Sequence, residues 1–265
     1  MRQLVAPVGS LALVATAALA SGQDRPSVTV QATPSLPSPS TSCAGGMIAH
    51  FPFSGNSNNQ CAPGPGLIVG PAPTADRMGT AAAAYFFDGV DDYVQMQDEP
   101  RYDLQAFTIA FLVKPHSFPP MLDPPQGVAR GGASLVRKGG VANGTGNFSI
   151  QLSDAAGSWP KSGMIMYGHE MAKGQYYAIC FQSRIRIDTF TRVAVTVGYR
   201  ALRIYEDGIL KCTMTDVPTP TFNNEPLTLG KPTGGRDHYF NGAIDDLRIY
   251  NRVLTASEVK ALPSN

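Results

Sequence analysis

The chain has 265 residues, a formal net charge of +1 and 43% apolar residues. That length and composition support a sizeable core in one large β domain. The near-neutral balance leaves no long-range field to concentrate a polyanion, which argues against a nucleic-acid partner.

In chain order, residues 1–20 read as an export signal. Met1-Arg2 gives a short positive start, Leu11 to Ala20 is an apolar run too short to span a bilayer comfortably, and Ala18-Leu19-Ala20 ends it with small residues. Residues 21–42 read as a Pro/Ser/Thr-rich linker, typified by Pro34-Ser35-Leu36-Pro37-Ser38-Pro39, with too little apolar surface to offset its ordering entropy. Residues 43–265 are left for the folded domain. It holds all four cysteines, Cys43, Cys61, Cys180 and Cys212. An even count in an exported chain points to disulfides, and the absence of a C-x-x-C pair argues against zinc. Of the three pairings possible, locality favours Cys43–Cys61 and Cys180–Cys212.

The domain alternates with period two. Phe107, Ile109, Phe111 and Val113 form one apolar series, and Phe148, Ile150 and Leu152 a second. Val193, Val195 and Val197 form a third, followed by the pairs Leu202/Ile204 and Leu247/Ile249. Successive strand side chains point to opposite faces, so each run predicts one face inward and a polar face outward. Asp207-Gly208 between two runs signals a hairpin. Thr255-Ala256-Ser257-Glu258 is a capping box that predicts one short C-terminal helix. Many short strands separated by turns predict an all-β, two-sheet antiparallel sandwich.

Three segments carry a family resemblance: Tyr85-Phe86-Phe87-Asp88-Gly89-Val90-Asp91-Asp92-Tyr93-Val94, Phe107 to Pro115, and Phe240-Asn241-Gly242-Ala243-Ile244-Asp245-Asp246-Leu247-Arg248-Ile249-Tyr250-Asn251-Arg252. With the Leu202 to Gly208 hairpin, they resemble, in order and spacing, the LamG-like jelly-roll domains of the concanavalin A-like lectin/glucanase superfamily. The resemblance covers roughly residues 47–263 and implies a jelly-roll sandwich. Tryptophans usual in that family near Leu112 and near Phe190-Thr191 are absent here. The early loop often associated with calcium is replaced by Ser54-Gly55-Asn56-Ser57-Asn58-Asn59, which keeps oxygens and loses the carboxylate.

The candidate ligands for a structural calcium are Asn56, Asp88, Asp245 and Asp246, oxygen donors of the kind hard cations take. The bland alternative is that these groups cap turns. For a sugar ligand, whose C–H faces stack on flat rings, the candidates are Trp159, Tyr167 and Tyr239, with Tyr176, Tyr177 and Tyr199 behind them. Asn143-Gly144-Thr145 and Asn147-Phe148-Ser149 are glycosylation sequons. No catalytic residue is assigned. The five glutamates, Glu99, Glu170, Glu206, Glu225 and Glu258, are scattered, and the strand-borne E-x-D-x-x-E device of related glucanases is absent. The expected function is a secreted or cell-surface, carbohydrate-binding or adhesive lectin-like domain without catalysis. Its expected partner is a glycan or a cell-surface or extracellular protein. The alternatives are a structural protein-interaction domain and a divergent glycoside hydrolase.

Overall fold

The computed structural model describes residues 43–119, 132–139, 147–153, 163–171, 174–232 and 238–263. The expected signal and linker, Trp159 and Asn143 lie outside the described residues. In chain order the strands are β1 (Met47–Phe51), β2 (Leu67–Val69), β3 (Ala72–Thr74), β4 (Ala84–Asp88), β5 (Tyr93–Met96), β6 (Phe107–Pro115), β7 (Gly132–Lys138) and β8 (Phe148–Ser153). They continue with β9 (Ile165–Met171), β10 (Gly174–Ile179), β11 (Thr191–Gly198), β12 (Ala201–Glu206), β13 (Ile209–Thr215), β14 (Leu227–Leu229) and β15 (Asn241–Tyr250). One helix, α1 (Ala256–Lys260), follows.

The strands form two antiparallel sheets. One has the order β13-β12-β11-β6-β15-β4-β3, with β1 also on β15, and the other the order β10-β9-β8-β7-β14-β5-β2. This is the two-sheet sandwich that the alternation predicts and the jelly roll that the resemblance implies. Phe107, Ile109, Phe111 and Val113 face Phe148, Ile150 and Leu152 in one core, and the Phe107 and Phe148 rings lie 5.2 Å apart. Asp207-Gly208 makes the β12–β13 hairpin with φ of 47° and 77°, the left-handed backbone a two-residue turn needs.

The outward faces of β6 and β11 depart from expectation, because they too are buried. A second apolar cluster covers them: Ala110, Ala194, Tyr205 and Tyr250 pack against Met47, Leu254, Val259 and Leu262, with Cys43 and Cys61 alongside. The capping box of α1 forms as predicted, with Thr255 and Glu258 exchanging hydrogen bonds. Arg192 donates to the carbonyls of Leu262 and Pro263, which pins the chain end onto the sheet. Both disulfides form as locality suggests, Cys43–Cys61 and Cys180–Cys212.

Strand β15 changes partner along its length. Asn241 to Ile244 pair with β4, and Leu247 to Tyr250 pair with β1. A bulge between Asp245 and Arg248 accommodates the change, with Asp246 at φ 48°. Ile244 and Leu247 therefore both face the core although they are three residues apart. Among the described residues no helix is long and apolar enough to cross a membrane.

Candidate functional site

The register of the seven-stranded sheet lines up one row across its outer face: Tyr177, Gly168, Ser149, Arg137, Thr228 and Gln95. Their strand neighbours Tyr167, Ile150, Val136, Leu229 and Val94 fill the core, so the row faces away from it. Arg137 is buried in mid-row and donates from Nη2 to the Ser149 hydroxyl at 3.1 Å.

At the edge strand β10 the row ends in a flat apolar surface. A Cβ on Gly168 would lie 2.9 Å from Cδ1 and Cε1 of Tyr177, so the tyrosine ring lies across bare glycine backbone. The ring is still 50% exposed. Its hydroxyl donates to Gln175 Oε1 at 3.3 Å, and Gln175 Nε2 donates to Glu170 Oε1 at 3.3 Å. An aromatic plate with an amide and a carboxylate on its flank can offer stacking and hydrogen bonds together.

The plate is braced from the core side. Tyr176 stacks on His169 at 5.1 Å and 24°, and His169 meets the Tyr167 ring edge-on at 5.5 Å, with Nδ1 at 3.1 Å from the Tyr167 hydroxyl. Burial pushes the His169 imidazole down to about 4, so it is neutral at physiological pH. Burial also raises the Tyr167 phenol well above its ordinary range.

Between edge strands β10 and β13 lies a groove of about 380 Å³, with Tyr177, Phe181, Lys211 and Met214 in its walls and the Cys180–Cys212 bridge tying the two edges. Lys211 Nζ is 3.4 Å from Glu206, whose other oxygen accepts from the Ser183 hydroxyl and the Arg184 N–H.

The structure separates the residues that the sequence singles out for a sugar. Tyr167 is 1% exposed and faces the core, so it braces the surface and offers no face to a ligand. Tyr239 is half-buried beside the buried Phe240. The exposed plate belongs instead to Tyr177 on the edge strand β10. Gly168 and Arg137 belong to no functional motif, and the one signal for their row is a glycine amid strand residues, which marks a close approach. The sequon at Asn147 is closed to modification, since its buried Nδ2 donates to the carbonyls of Leu104 and Thr221.

The four candidate calcium ligands do not converge. Asn56 bonds within its own loop, to Ser54 and Asn58. Asp88 accepts from Val90 and Asp91 N–H groups, capping its turn, and it pairs with Asn241. Asp245 lies four residues further along β15, about 13 Å away at the usual strand rise. Asp246 is held by His50 Nε2 at 2.7 Å and by Arg248 Nε at 2.9 Å, and Asp245 accepts from the Asp246 N–H at 2.6 Å. Asp88, Asp91 and Asp92 do come within 4.8 Å of one another, but Asp92 is tied to the Asp88 N–H.

The profile of the concanavalin A-like lectin/glucanases superfamily matches residues 88–260. The chain belongs to that superfamily. Among solved structures, this superfamily member is similar to domain 4 of AbnA, a GH43 extracellular arabinanase from Geobacillus stearothermophilus, determined in complex with arabinotriose. The TM-score is 0.60 at 22% identity, over 81% of this chain and 96% of that one. It is also similar to the botulinum neurotoxin serotype G binding domain, with TM-score 0.55 and 12% identity over 82% of this chain and 50% of that one. The binding domain of Paraclostridial Mosquitocidal Protein 1 gives 0.51 and 18%, over 74% and 45%. The superfamily domain thus spans about half of each toxin domain. These likenesses concern the fold. No curated protein sequence matches the chain.

Proposed function

We propose that the chain is an exported, non-catalytic glycan-binding domain whose ligand stacks on Tyr177 at the edge strand β10. The observation that carries this reading is the half-exposed Tyr177 ring laid across Gly168, with the Gln175 amide and the Glu170 carboxylate on its flank. A sugar ring presents C–H groups on its faces and hydroxyls on its rim, and this surface matches both. Export is supported by residues 1–20 and by two disulfides, which persist in oxidising compartments. The acids among the described residues support a non-catalytic reading: the carboxylate flanking the plate, Glu170, is bonded to Gln175, and the Asp88–Asp92 group serves its own turn.

AbnA domain 4, seen with arabinotriose, makes arabino-oligosaccharides the first probes, followed by a broad glycan array. Binding is expected for at least one glycan class. Tyr177→Ala is expected to weaken it by roughly 10-fold, the worth of one stacking contact of about 1.4 kcal/mol, in a variant that still unfolds cooperatively. Tyr177→Phe should retain most of the affinity. Silence across the array, or full binding by Tyr177→Ala, would refute the proposal.

A further inference from the structure

A second feature is the groove that opens beside Tyr177, between the edge strands of the two sheets. Two rings in its walls reach solvent, Tyr177 at 50% and Phe181 at 42% exposed. Among the described lining residues Lys211 is the one charged group. It stands on β13 next to Cys212, whose bridge to Cys180 draws β13 toward β10, so the ammonium and the tyrosine ring face one space. The acid that Lys211 reaches among the described residues is Glu206, and that carboxylate is already engaged: one oxygen accepts from the Ser183 hydroxyl and, at 2.8 Å, from the Arg184 N–H. Lys211 Nζ lies 3.4 Å from the other oxygen, beyond ordinary hydrogen-bond length, and an ammonium carries three donors. The Arg184 guanidinium adds a second cation, held by the Phe181 and Ser183 carbonyls. Two positive side chains thus meet one carboxylate at this groove, and the Lys211 side chain keeps 29% of its surface open.

We propose that the groove is a subsite for an acidic sugar, in which a uronate carboxylate pairs with Lys211 while a ring of the same glycan stacks on Tyr177. The inference rests on the glycan reading of Tyr177 and adds a ligand class to it. A carboxylate fits on charge, because it supplies the negative group that a lining with one cation and no acid lacks. It fits on solvation, because a part-exposed ammonium reaches it without the desolvation cost of a buried ion pair. Phe181 offers a second flat apolar surface, so the groove suits an oligosaccharide of acidic sugars better than a single one. A neutral sugar in the same place would gain the stacking and leave the ammonium without a counter-charge.

The test titrates the full chain with glycans in pairs that differ in charge alone: oligogalacturonate, oligomannuronate and glucuronoxylan oligosaccharides, each beside its methyl ester. At least one acid is expected to bind roughly threefold to tenfold more tightly than its ester, the worth of a part-exposed ion pair. That gap should close in Lys211→Gln, persist in Lys211→Arg, and narrow as salt rises from about 20 mM to about 0.5 M. Tyr177→Ala should weaken acid and ester alike, which separates the stacking contact from the charge. Equal binding of acid and ester by the wild type, or a preference that survives Lys211→Gln, would overturn the acidic subsite and leave the stacking surface untouched. Silence toward every pair and toward neutral glycans would overturn both.

Discussion

Asp245 sits beside the bulge of β15, almost wholly buried, and burial lifts its carboxyl to about 7, although the Asp246 N–H acts the other way. The unfolded chain titrates this group near its ordinary value of 3.8. The folded chain therefore holds the extra proton between those values, and stability from this group is full below about 4 and lost as pH rises through about 7. His169 works in the opposite sense. Its folded value is about 4 and its ordinary one 6.5, so stability is full above 6.5 and lost as pH falls toward 4. The two slopes offset each other between about pH 4.5 and about pH 6.5, and the wild type is expected to be nearly flat there. Urea titrations of Asp245→Asn should expose the histidine slope, a loss of up to ~1.4 kcal/mol per pH unit on acidification, whereas His169→Phe should gain stability over the same interval. Identical pH profiles for both variants would contradict the assignment. Neither behaviour is legible in the sequence: the Asp245-Asp246 pair reads as metal ligands or turn caps, and only the partner change along β15 reveals that it is buried in a bulge. Tyr167 and Tyr177 illustrate the same limit. Both lie in strands with few aliphatic residues, so alternation alone does not say which tyrosine faces the core.

At the level of elements, the apolar series of β6, β8 and β11, the Asp207-Gly208 hairpin and the capping box of α1 are all readable, because each depends on local periodicity or local backbone chemistry. What covers the back of β6 and β11 is not, since it depends on α1 and the Cys43–Cys61 segment arriving from distant parts of the chain. The Cys180–Cys212 bridge spans 32 residues and joins the edge of one sheet to the edge of the other. Replacing both cysteines by alanine should cost ~3–4 kcal/mol on the loop-entropy account. The loss should show as a lower urea midpoint with faster amide exchange in β10 and β13, the groove walls. An unchanged midpoint would mean that the two edges hold together without the link.

At the largest scale, the sandwich presents two opposite outer faces. One outer face is sealed by the helix and the first disulfide, and the other carries the exposed Tyr177 ring at its edge. On that division, incubation with arabinan or β-glucan should release no new reducing ends above a buffer control. Release that disappears in Glu170→Gln would instead reveal a hydrolase. Cys43 and Leu262 both pack on the sealed face. Anything joined there, whether a neighbouring module, a cell-wall tether or a solid support, would grip the domain from behind. The tyrosine side would then stay turned toward whatever polymer lies in front, and both attachment points could bear load without obstructing it.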